Sequence, residues 1–550
     1  MRIKRVLLLV AIIMTGMVAN AYAKQDPRHS RQLDENYNVY WGDLHNHSAL
    51  TYGHGSFENA LENAAEGELD FFTVTPHAMW PDIEKLRGNK KLEWVIAYHT
   101  NAFKKLRNPA YWQNYIDKMK EYNIPGKRIT FPTYEVHSLK YGDHVVISKY
   151  SDVSLPKAKT SVVDLRDRVL DKENTIISPH GVGYQSGFRG YNWEYFKESP
   201  QTPFAEIFSR HGNSEGSVGP FGMYHDMGPR DFAGTVEAGL RRGLKFGIMA
   251  SSDSHAGHPG SYGGGRVAAL ASSLSRDAIW EALRARRVYA STGANITLDF
   301  RINKAYMGEA VKDNLLGRRK VHVAAEGVNQ IDYVELIKNG KTIRKKHADY
   351  TPDYDISQDA PMHAKIKFEF GWNQVSSKDR VEWKGSLSLS GGKFREVIPQ
   401  FRGAPFTSPQ KDLEGKEHAW ESWVSRITEK SARSVSFHAF SISNPAPSQP
   451  TTQSILLDVY MRPSDTLVAR INGKIYRHTL AELLEGSRGH FMQGWLSESI
   501  LFNRAVPKDG YRVSFDFTDR AATPEDYYFV RVRQTDHQWA WSSPIWVARK

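Results

Sequence analysis

The pattern of apolar and polar positions changes near residue 293 of the chain. Before that point, short apolar runs are separated by segments with the spacing of amphipathic helices. Strands spaced by helices favour parallel βα units, and this many of them over about 250 residues predict a barrel. The predicted strands cover residues 38–44, 69–75, 129–134, 175–178, 204–208 and 244–251, and the predicted helices cover 56–66, 101–122, 232–242 and a segment capped by Ser275.

After this point, frequent short strands with turn residues replace the alternation. A hairpin is predicted at 334–343, because Asn339-Gly340 supplies the positive φ angles of a two-residue turn, and Asn472-Gly473 repeats the signal. The pattern predicts a mostly β, sandwich-like domain in which the Pro- and Ser-rich segment 441–453 is a connecting loop. Tryptophans that either fill sandwich cores or form a sugar-stacking surface are Trp372, Trp383, Trp420, Trp423, Trp495, Trp539, Trp541 and Trp546.

Composition adds several exclusions. The chain has 550 residues, of which 40% are hydrophobic, with 73 Lys+Arg against 61 Asp+Glu, and this excludes a disordered or collagen-like protein. The formal net charge of +12 is spread along the chain and forms no long basic run, so no nucleic-acid partner is predicted. Cysteine is absent, which excludes disulfides and thiolate metal ligands. Any metal must be bound through nitrogen and oxygen.

The first residues have the pattern of a secretory signal peptide. Three basic residues precede an uncharged apolar stretch at 6–18, and Ala21-Tyr22-Ala23 offers a small-x-small cleavage site. The apolar stretch is shorter than the roughly 20 residues that cross a bilayer, so no permanent membrane anchor is predicted. We therefore expect a periplasmic or secreted protein. The predicted parts are a signal peptide at 1–23, a first domain at 24–293 and a β-rich domain at 294–550.

Residues that can bind metals follow the first set of predicted strands. Twelve of the 21 histidines lie between residues 40 and 258. In a parallel barrel the carboxyl ends of all strands point to one face, where active sites lie. Imidazole nitrogen and carboxylate oxygen suit zinc, manganese or iron, and an unpaired buried polar group costs about 1–3 kcal/mol. A metal centre is therefore predicted from the groups at five strand ends, which are His45-Asn46-His47, His77, Glu135, His180 and Asp253-Ser254-His255.

Several segments resemble motifs of a known family. They are residues 41–48 (WGDLHNHS), 73–78 (TVTPHA), 207–215 (IFSRHGNSE), 251–260 (SSDSHAGHPG), 278–289 (AIWEALRARRVY) and 541–546 (WSSPIW). They look like motifs of the secreted proteins catalogued as domain of unknown function 3604, a family related to the polymerase-and-histidinol-phosphatase (PHP) superfamily. The resemblance covers nearly the whole chain after residue 23. It implies a distorted (β/α)7 barrel with two or three divalent metal ions, which would be zinc, manganese or iron.

Carried over residue by residue, the resemblance implies three groups of ligands. A first ion would take His45, His47, Glu135 and Asp253, a second would share Glu135 and add His180 and His144, and a third would take His54, His77 and His255. His137 competes with His144, because Glu135-Val136-His137 also fits as a pair of ligands. The second motif of the superfamily usually has Thr-Asp-His, whereas this chain has Pro76 in the middle, which can neither ligate nor orient a ligand.

Such a centre suits hydrolysis. Two ions about 3.5–4 Å apart can share a water, lower its pKa toward roughly 7 and stabilise charge on the attacking and leaving oxygens. The predicted function is an exported metal-dependent hydrolase, specifically a phosphoesterase, that acts on a small-molecule or glycan-linked ester. Arg210 and His211 follow strand 204–208 on the side of the ligands, and they are the candidate catalytic residues. Arg210 is also expected to neutralise charge, unless it pairs with Glu206 or Glu215.

Two other hypotheses use the same residues. The ion chemistry does not by itself select phosphorus, so the enzyme could hydrolyse an amide, a lactone or a sulfate ester. The protein could also be a non-catalytic envelope or carbohydrate-binding protein with a structural metal site. A structural site is coordinatively closed, whereas a catalytic site keeps an open position for water.

Overall fold

Strands form most of the regular structure, within a mixed α/β fold. The structure is a computed structural model, and it describes residues 31–67, 69–216, 230–313, 317–350, 354–371, 380–403, 424–442, 452–494 and 497–550. The predicted signal peptide, most of the predicted loop 441–453 and four of the eight tryptophans lie outside these residues. In the described part of the chain, no helix is both long enough and apolar enough to cross a membrane.

The first half of the chain contributes thirteen strands. They are β1 (Arg31–Gln32), β2 (Asn38–Asp43), β3 (Phe71–Phe72), β4 (His77–Met79), β5 (Ile129–Thr130), β6 (Thr133–Val136), β7 (Asp143–Ser148), β8 (Thr175–His180), β9 (Phe204–Ser209), β10 (Gly212–Asn213), β11 (Gly247–Ala250), β12 (Arg266–Ala271) and β13 (Val288–Ser291). Each of the six strands predicted from apolar runs before residue 293 overlaps at least one observed strand, although the run at 69–75 forms only the two-residue strand β3.

Helix boundaries follow local sequence signals. The side chains of Ser56 and Ser275 cap two helices, as predicted, by accepting hydrogen bonds from backbone N–H groups three residues later. The single helix predicted at 101–122 is two helices, because Pro109 lacks the N–H that a continuing helix needs and begins a new helix instead. The helices are Phe57–Glu66, Glu93–Leu106, Pro109–Glu121, Val162–Asp164, Val236–Arg241, Arg276–Arg284 and Leu480–Glu485, with single 3-10 turns at Ile83–Leu86, Trp193–Tyr195, Phe232–Gly234 and Lys508–Gly510 and a π turn at Leu165–Val169.

The predicted (β/α)7 barrel requires correction. Three sheets enclose one apolar core, to which Tyr40 of β2, Val145 of β7 and Met249 of β11 all contribute. Strands β2, β3 and β5 are parallel, as are β4 and β6 and also β9 and β11, but β7 runs antiparallel to β6 and β8, and β12 runs antiparallel to β2. Parallel neighbours need a crossover of a dozen or more residues, and residues 137–142 are too few. The described residues therefore form an irregular enclosure and not seven successive βα units.

The second half is almost entirely β. Its strands are β14 (Thr297–Ile302), β15 (Ala305–Tyr306), β16 (Ala310–Lys312), β17 (Arg318–Glu326), β18 (Ile331–Lys338), β19 (Lys341–His347), β20 (Met362–Gly371), β21 (Arg380–Leu389), β22 (Lys393–Gln400), β23 (Arg426–Lys430), β24 (Ser434–Ile442), β25 (Gln453–Met461), β26 (Thr466–Ile471), β27 (Lys474–Thr479), β28 (Arg488–Phe491), β29 (Ser499–Phe502), β30 (Val506–Pro507), β31 (Arg512–Arg520), β32 (Glu525–Gln534), β33 (Trp539–Ser542) and β34 (Ile545–Ala548). Both predicted hairpins are confirmed, with φ of 51° and 75° at Asn339-Gly340 and 46° and 82° at Asn472-Gly473.

A β-sandwich lies within this half. One sheet has the order β22-β25-β20-β29-β28, and the other has the order β23-β24-β21-β26-β27. The two sheets share a core in which Phe370 of β20 packs against Trp383 of β21 and Phe437 of β24, with ring centroids 5.3 and 5.1 Å apart. Trp383, Trp539, Trp541 and Trp546 are all at most 2% exposed, so these four fill cores and do not form a sugar-stacking surface.

The largest sheet crosses residue 293. Its order is β16-β34-β32-β33-β13-β12-β2-β3-β5, so β13 of the first half pairs with β33 near the C-terminus. A buried ion pair reinforces this connection, because Arg531 of β32 contacts Glu215 at 2.6 Å and Glu335 of β18 at 2.6 Å. Trp541 Nε1 donates a hydrogen bond of 3.0 Å to the other oxygen of Glu215. The strand that carries the His45 motif therefore belongs to a sheet built from both halves.

We expect Arg531→Met to destabilise the protein by about 3–5 kcal/mol, because removing one partner of a buried ion pair leaves uncompensated charge inside. Chemical denaturation of the full chain would measure the change. Arg533→Met is the matched control on the same strand, since Arg533 pairs with Asp332 at 3.2 Å with 32% of its side chain exposed. The control should lose no more than about 1 kcal/mol. Equal losses in the two variants would contradict a connecting role for Arg531.

Candidate metal centre

Two extended segments bring the first ligand groups together. Residues 45–47 continue beyond β2 and run parallel to residues 253–255, which follow β11, with a bridge between Asn46 and Ser254. Asp253 N donates to His45 O and His47 N donates to Ser254 O, each at 2.8 Å. Because side chains alternate along extended backbone, residues two apart share one side. His45 and His47 therefore face the same region as Asp253.

Asp43 holds these two segments in place. Its Oδ1 accepts hydrogen bonds from His45 N at 3.2 Å and Ser252 N at 3.1 Å. Its Oδ2 accepts from Ser252 Oγ at 2.5 Å and Gly260 N at 2.7 Å. Asp43 is 0% exposed, so no solvent competes for these bonds. One buried carboxylate at the end of β2 therefore fixes both ends of the loop that carries Asp253.

The backbone of the second segment is locally strained. Asp253 has φ 45°, in the left-handed region that a non-glycine residue rarely adopts, at a cost of about 1–3 kcal/mol. Gly257 has φ 59°, and a Cβ there would lie 2.9 Å from His54 O. Glycine therefore permits the loop to approach residues 54–55, where His54 N donates to His255 O at 2.6 Å.

A second sheet, β4-β6-β7-β8, supplies the other ligand groups. His77 pairs with Glu135 across β4 and β6, Glu135 pairs with Val145, and Asp143 pairs with His180 across β7 and β8. Residues directly opposite each other share a face of the sheet. Glu135, Asp143 and His180 therefore point to one side.

The same alternation corrects the prediction for His144. His144 pairs with Val136 and Pro179, so it lies on the opposite face of the sheet from Glu135 and His180. There its Nδ1 donates to Gly142 O at 2.9 Å, and its ring packs against Tyr191 at 5.4 Å between centroids. His137, two residues after Glu135, lies on the Glu135 side. Of the two alternatives, the structure brings His137 to the site, with Nδ1 3.3 Å from Glu135 Oε1.

Glu135 lies between two pairs of histidines. Its Oε2 is 3.0 Å from His77 Nε2 and 3.6 Å from His47 Nε2. Its Oε1 is 2.8 Å from His180 Nε2 and 3.3 Å from His137 Nδ1. Glu135 is 2% exposed, and its Oε2 and His180 Nε2 make no hydrogen bond to the described residues. Each oxygen of this carboxylate therefore faces histidine nitrogens of its own.

Asp253 has a similar position on the other side of the cluster. Its Oδ1 lies 3.1 Å from His47 Nε2, 3.4 Å from His45 Nε2 and 3.8 Å from His255 Nδ1. Its Oδ2 lies 3.4 Å from His211 Nε2. The groups whose ligand atoms lie within 4.8 Å of one another include His47-His77-His255, His45-His180-Glu206-Asp253, His45-His47-Glu135, His77-Glu135-His137 and His211-Asp253-His255.

Hydrogen bonds to the outer nitrogens set which way the imidazole lone pairs point. His47 Nδ1 donates to Thr75 O at 2.7 Å, so a neutral ring has its lone pair on Nε2. His45 Nδ1 lies 3.1 Å from Glu206 Oε2, which orients that ring in the same way. The two Nε2 atoms are only 3.1 Å apart and both face Asp253. Two imidazole nitrogens and a carboxylate oxygen thus converge in a buried space, and nitrogen and oxygen ligands of this kind fit a bound divalent cation.

The electrostatics of the cluster agree with this interpretation. Burial acts to lower the pKa of His45, but the negative charges of Asp253 and Glu206 outweigh it and raise that pKa to about 10. Burial, together with neighbouring imidazoles, lowers the pKa of His77 and of His255 well below the usual value. The cluster therefore attracts positive charge, while His77 and His255 stay neutral, which is the state in which histidine binds metals.

The other predicted residues lie around this cluster. His211 is 2% exposed and joins it through Asp253, whereas Arg210 N donates to Ser252 O at 3.0 Å beside the same loop. His54 is 2% exposed. Arg210 and Arg266 add to burial in lowering the pKa of His258 to about 3. Of the two acids named beside Arg210, Glu206 Oε2 lies 3.1 Å from His45 Nδ1, and Glu215 Oε1 lies 2.6 Å from Arg531 Nη1.

Three further groups at the site were not among the predicted metal ligands. Glu206 lies inside β9, where every residue is buried, and the sequence named it only as an alternative partner of Arg210. Asp143 begins β7, a strand that the apolar pattern did not reveal. Arg189, whose Nη2 lies 2.5 Å from Asp143 Oδ2 and 3.0 Å from His137 Nδ1, has φ 74°. No sequence signal placed its guanidinium beside His137.

We expect Asp43→Asn to lower both the thermal stability and the metal affinity of the protein. An amide keeps one acceptor oxygen, so two of the four donors lose their partner at about 1–3 kcal/mol each. Thermal unfolding and metal titration would measure the two effects. Asp171→Asn is a control, because Asp171 also accepts several hydrogen bonds but lies in an exposed loop. A stability loss in the control as large as in Asp43→Asn would refute the proposed role of Asp43.

We also expect divalent cations to stabilise the protein. A chelator-treated sample should unfold at a lower temperature than the same sample after addition of Mn²⁺ or Zn²⁺. An ion that binds only the folded chain raises the free energy of unfolding. At an ion concentration 100 times Kd the gain is about 2.7 kcal/mol. Differential scanning calorimetry would measure it. An unfolding temperature that does not respond to either ion would count against a metal centre.

Comparisons with known proteins identify relatives but no function. No model of a known protein family matches the chain. Uncharacterized proteins match from Chlamydia pneumoniae (23% identity over 370 residues, 58% of each chain), Chlamydia muridarum (30% over 159 residues, 26% of each) and Chlamydia trachomatis (29% over 180 residues, 29% of this chain and 28% of that protein). The chain thus spans less than two thirds of the length of these relatives. A solved two-domain protein from Bacteroides vulgatus, described as containing a predicted PHP-like metal-dependent phosphoesterase, has a TM-score of 0.30 and 12% identity over 60% of this chain and 86% of that chain.

Proposed function

We propose that this protein is a metal-dependent hydrolase, specifically a phosphoesterase, whose divalent ions bind in the buried cluster. The position of Glu135 carries the proposal. One of its oxygens faces His77 and His47, and the other faces His180 and His137. A carboxylate with histidines at both oxygens can bridge two ions, whereas a structural zinc site is closed by four ligands around one ion.

The proposed ligand groups follow the contacts of the two central carboxylates. One ion would be held by His45, His47, Glu135 and Asp253, a second by Glu135, His137 and His180, and a third by His77, His255 and His54. The second group contains His137 in place of His144, because His144 lies on the other face of its sheet. The motif resemblance to the PHP-related family supports the same general arrangement.

Divalent ions held by such a group would polarise an ester oxygen and acidify a water molecule. The chain's own residues do the rest. Glu206 and Thr75 hold His45 and His47 with Nε2 toward the cluster. Arg189 places a guanidinium at the edge of the cluster, where it would attract an anionic ester and offset charge that develops on a phosphoryl group.

His211 and Arg210 complete the proposed machinery. His211 is buried beside Asp253 and is the candidate for moving a proton between the substrate and the cluster. Arg210, the residue before His211, is the candidate for a second cation that binds the substrate. We further propose that the protein is exported after cleavage behind Ala23 and acts on a small-molecule or glycan-linked ester.

The decisive variant is Asp253→Asn. Changes in groups that merely orient metal ligands cost about 10–100-fold in affinity or activity, so loss of a ligand oxygen should cost more than that. We expect the variant to lose bound metal, measured by elemental mass spectrometry, and hydrolysis of chromogenic phosphate esters, while circular dichroism stays unchanged. Asp70→Asn is the matched control, since Asp70 is 2% exposed and its Oδ2 accepts a hydrogen bond from Trp41 N.

Each outcome of this experiment separates hypotheses. Full metal content in Asp253→Asn would show that the ligand assignment is wrong. Metal-dependent turnover of sulfate or carboxyl esters, with none of phosphate esters, would replace the phosphoesterase by another hydrolase. Bound metal without turnover of any ester on the panel would favour a binding protein with a structural site.

A further inference from the structure

We propose that a cavity between the two halves of the chain binds a small organic cation, namely a protonated amine on an apolar body. Its walls come from β9, β11 and the helix Val236–Arg241 of the first half, and from the β18–β19 hairpin and β32 of the second. The cavity lies outside the metal centre, so the inference does not depend on the proposed hydrolase function.

The cavity lies on the far side of β9 from the metal centre, and it is large enough for a ring. Ile207 of β9 lines it, whereas the preceding residue, Glu206, contacts His45. Successive side chains of a strand point to opposite faces, so the cavity and the metal centre lie on opposite sides of β9. Its volume is about 260 Å³, and an engineered apolar cavity of about 150 Å³ already binds benzene. The apolar lining residues are Ile207, Val236, Leu240, Ile248, Ile337 and Phe529.

Negative charge predominates among the side chains that line the cavity. Glu215 and Glu237 line it, and Arg531 is the one cationic group among its described lining residues. The charge of Arg531 is offset within the protein, because this side chain contacts both Glu215 and Glu335 at 2.6 Å. Burial raises the pKa of Glu215, Arg531 opposes this, and the negative charge of Glu237 adds to it. A positively charged ligand would therefore be attracted to the space beside the two carboxylates.

Hydrogen-bond acceptors lie at the end of the cavity beside the turn of the β18–β19 hairpin. A Cβ at Gly340 would lie 3.6 Å from Glu237 Oε1 and 3.5 Å from Tyr527 Oη, so these two groups share that end. Tyr527 is 8% exposed, and its hydroxyl has no hydrogen-bond partner in the described part of the chain. Glu237 pairs with Arg241, but the arginine is largely exposed and solvent screens the pair. An ammonium group carries three N–H donors and needs acceptors of this kind.

Two aromatic side chains in the lining suit the same class of ligand. Tyr527 and Phe529 both line the cavity, and the faces of aromatic rings attract cations. The aliphatic lining residues would bury the apolar body of the ligand, which is favourable for any apolar group. A neutral molecule would gain only that burial, and an anion would be repelled by the carboxylates. The combination of carboxylates, aromatic rings and aliphatic walls therefore favours an amine with an apolar body.

The experiment compares three probes that share one ring and differ in charge. Benzylamine is protonated at neutral pH, benzyl alcohol is uncharged and benzoate is negative. In titration calorimetry with the full chain, we expect benzylamine to bind saturably and about 10-fold more tightly than benzyl alcohol, and benzoate not to bind. No saturable binding of benzylamine, or equal binding of all three probes, would overturn the proposal.

Glu237→Gln tests the charge of the cavity separately from its shape. The amide keeps the size of the side chain and one acceptor oxygen but removes the negative charge, so benzylamine should bind about 10-fold more weakly while benzyl alcohol binds as before. Glu485→Gln is the matched control, because Glu485 also pairs with an arginine, Arg488 at 3.2 Å, but lies on the exposed side of another helix. It should change neither affinity. Benzylamine binding that is unchanged in Glu237→Gln would mean that the amine binds elsewhere, as at the acidic groups of the metal centre, and would contradict the assignment.

A second variant tests the space itself. Leu240→Trp places a larger side chain in the lining and should abolish binding of both benzylamine and benzyl alcohol, with thermal unfolding as the check that the variant folds. If it does not fold, Thr342→Trp narrows the same cavity from an exposed position and should weaken both probes. Binding of benzylamine that persists unchanged in a folded variant of either kind would refute the cavity as its site. None of these outcomes depends on whether the metal centre hydrolyses an ester.

Discussion

Two imidazole nitrogens and a carboxylate oxygen meet at short distances in the buried interior of this protein, and the rest of the site is arranged around that contact. The Nε2 atoms of His45 and His47 lie 3.1 Å apart and both face Asp253. Lone pairs and a carboxylate at such distances repel one another unless positive charge lies among them. The hydrogen bonds to Thr75 O and Glu206 on the far sides of the rings keep the lone pairs pointing inward. Neighbouring groups thus maintain a demand for a cation.

Both halves of the chain help to position the candidate metal ligands. Strand β2, which leads to His45, lies in a sheet with β13 and, beyond it, with strands near the C-terminus. The loop after Asp253 also touches the second half, because Tyr262 N donates to Phe401 O at 2.9 Å and Gly403 N donates to Ser261 Oγ at 2.9 Å. The position of the candidate ligands therefore depends on packing far from them in sequence. The pattern of strands changes near residue 293, but the largest sheet continues across this position and contains strands from both halves.

Local signals in the sequence predicted local structure well. The caps at Ser56 and Ser275, the two Asn-Gly hairpins and the strands that end at or just before His45, His180 and Asp253 needed only short-range patterns. His77 and Glu135 differ from the prediction, because His77 begins β4 and Glu135 lies within β6. The direction of the strands could not be predicted from such patterns. The antiparallel pairing of β7 with β6 is indicated only by the short connection between them, residues 137–142, which is too short for a crossover. The choice between His137 and His144 had the same cause. It depends on which face of β6 and β7 is turned inward, and two histidines seven residues apart carry no information about that.

The left-handed backbone of Asp253 has a consequence for how the site could change over time. Its conformation is held by hydrogen bonds within the protein, from Asp253 N to His45 O and from Ser252 and Gly260 to Asp43. The left-handed backbone also restricts which residue types can occupy position 253. Asparagine tolerates such a backbone, whereas a branched side chain would force the loop open and carry Ser252 and Gly260 away from Asp43. Substitutions at position 253 would therefore either retain Asp or Asn, or disrupt the loop together with its hydrogen bonds to Asp43.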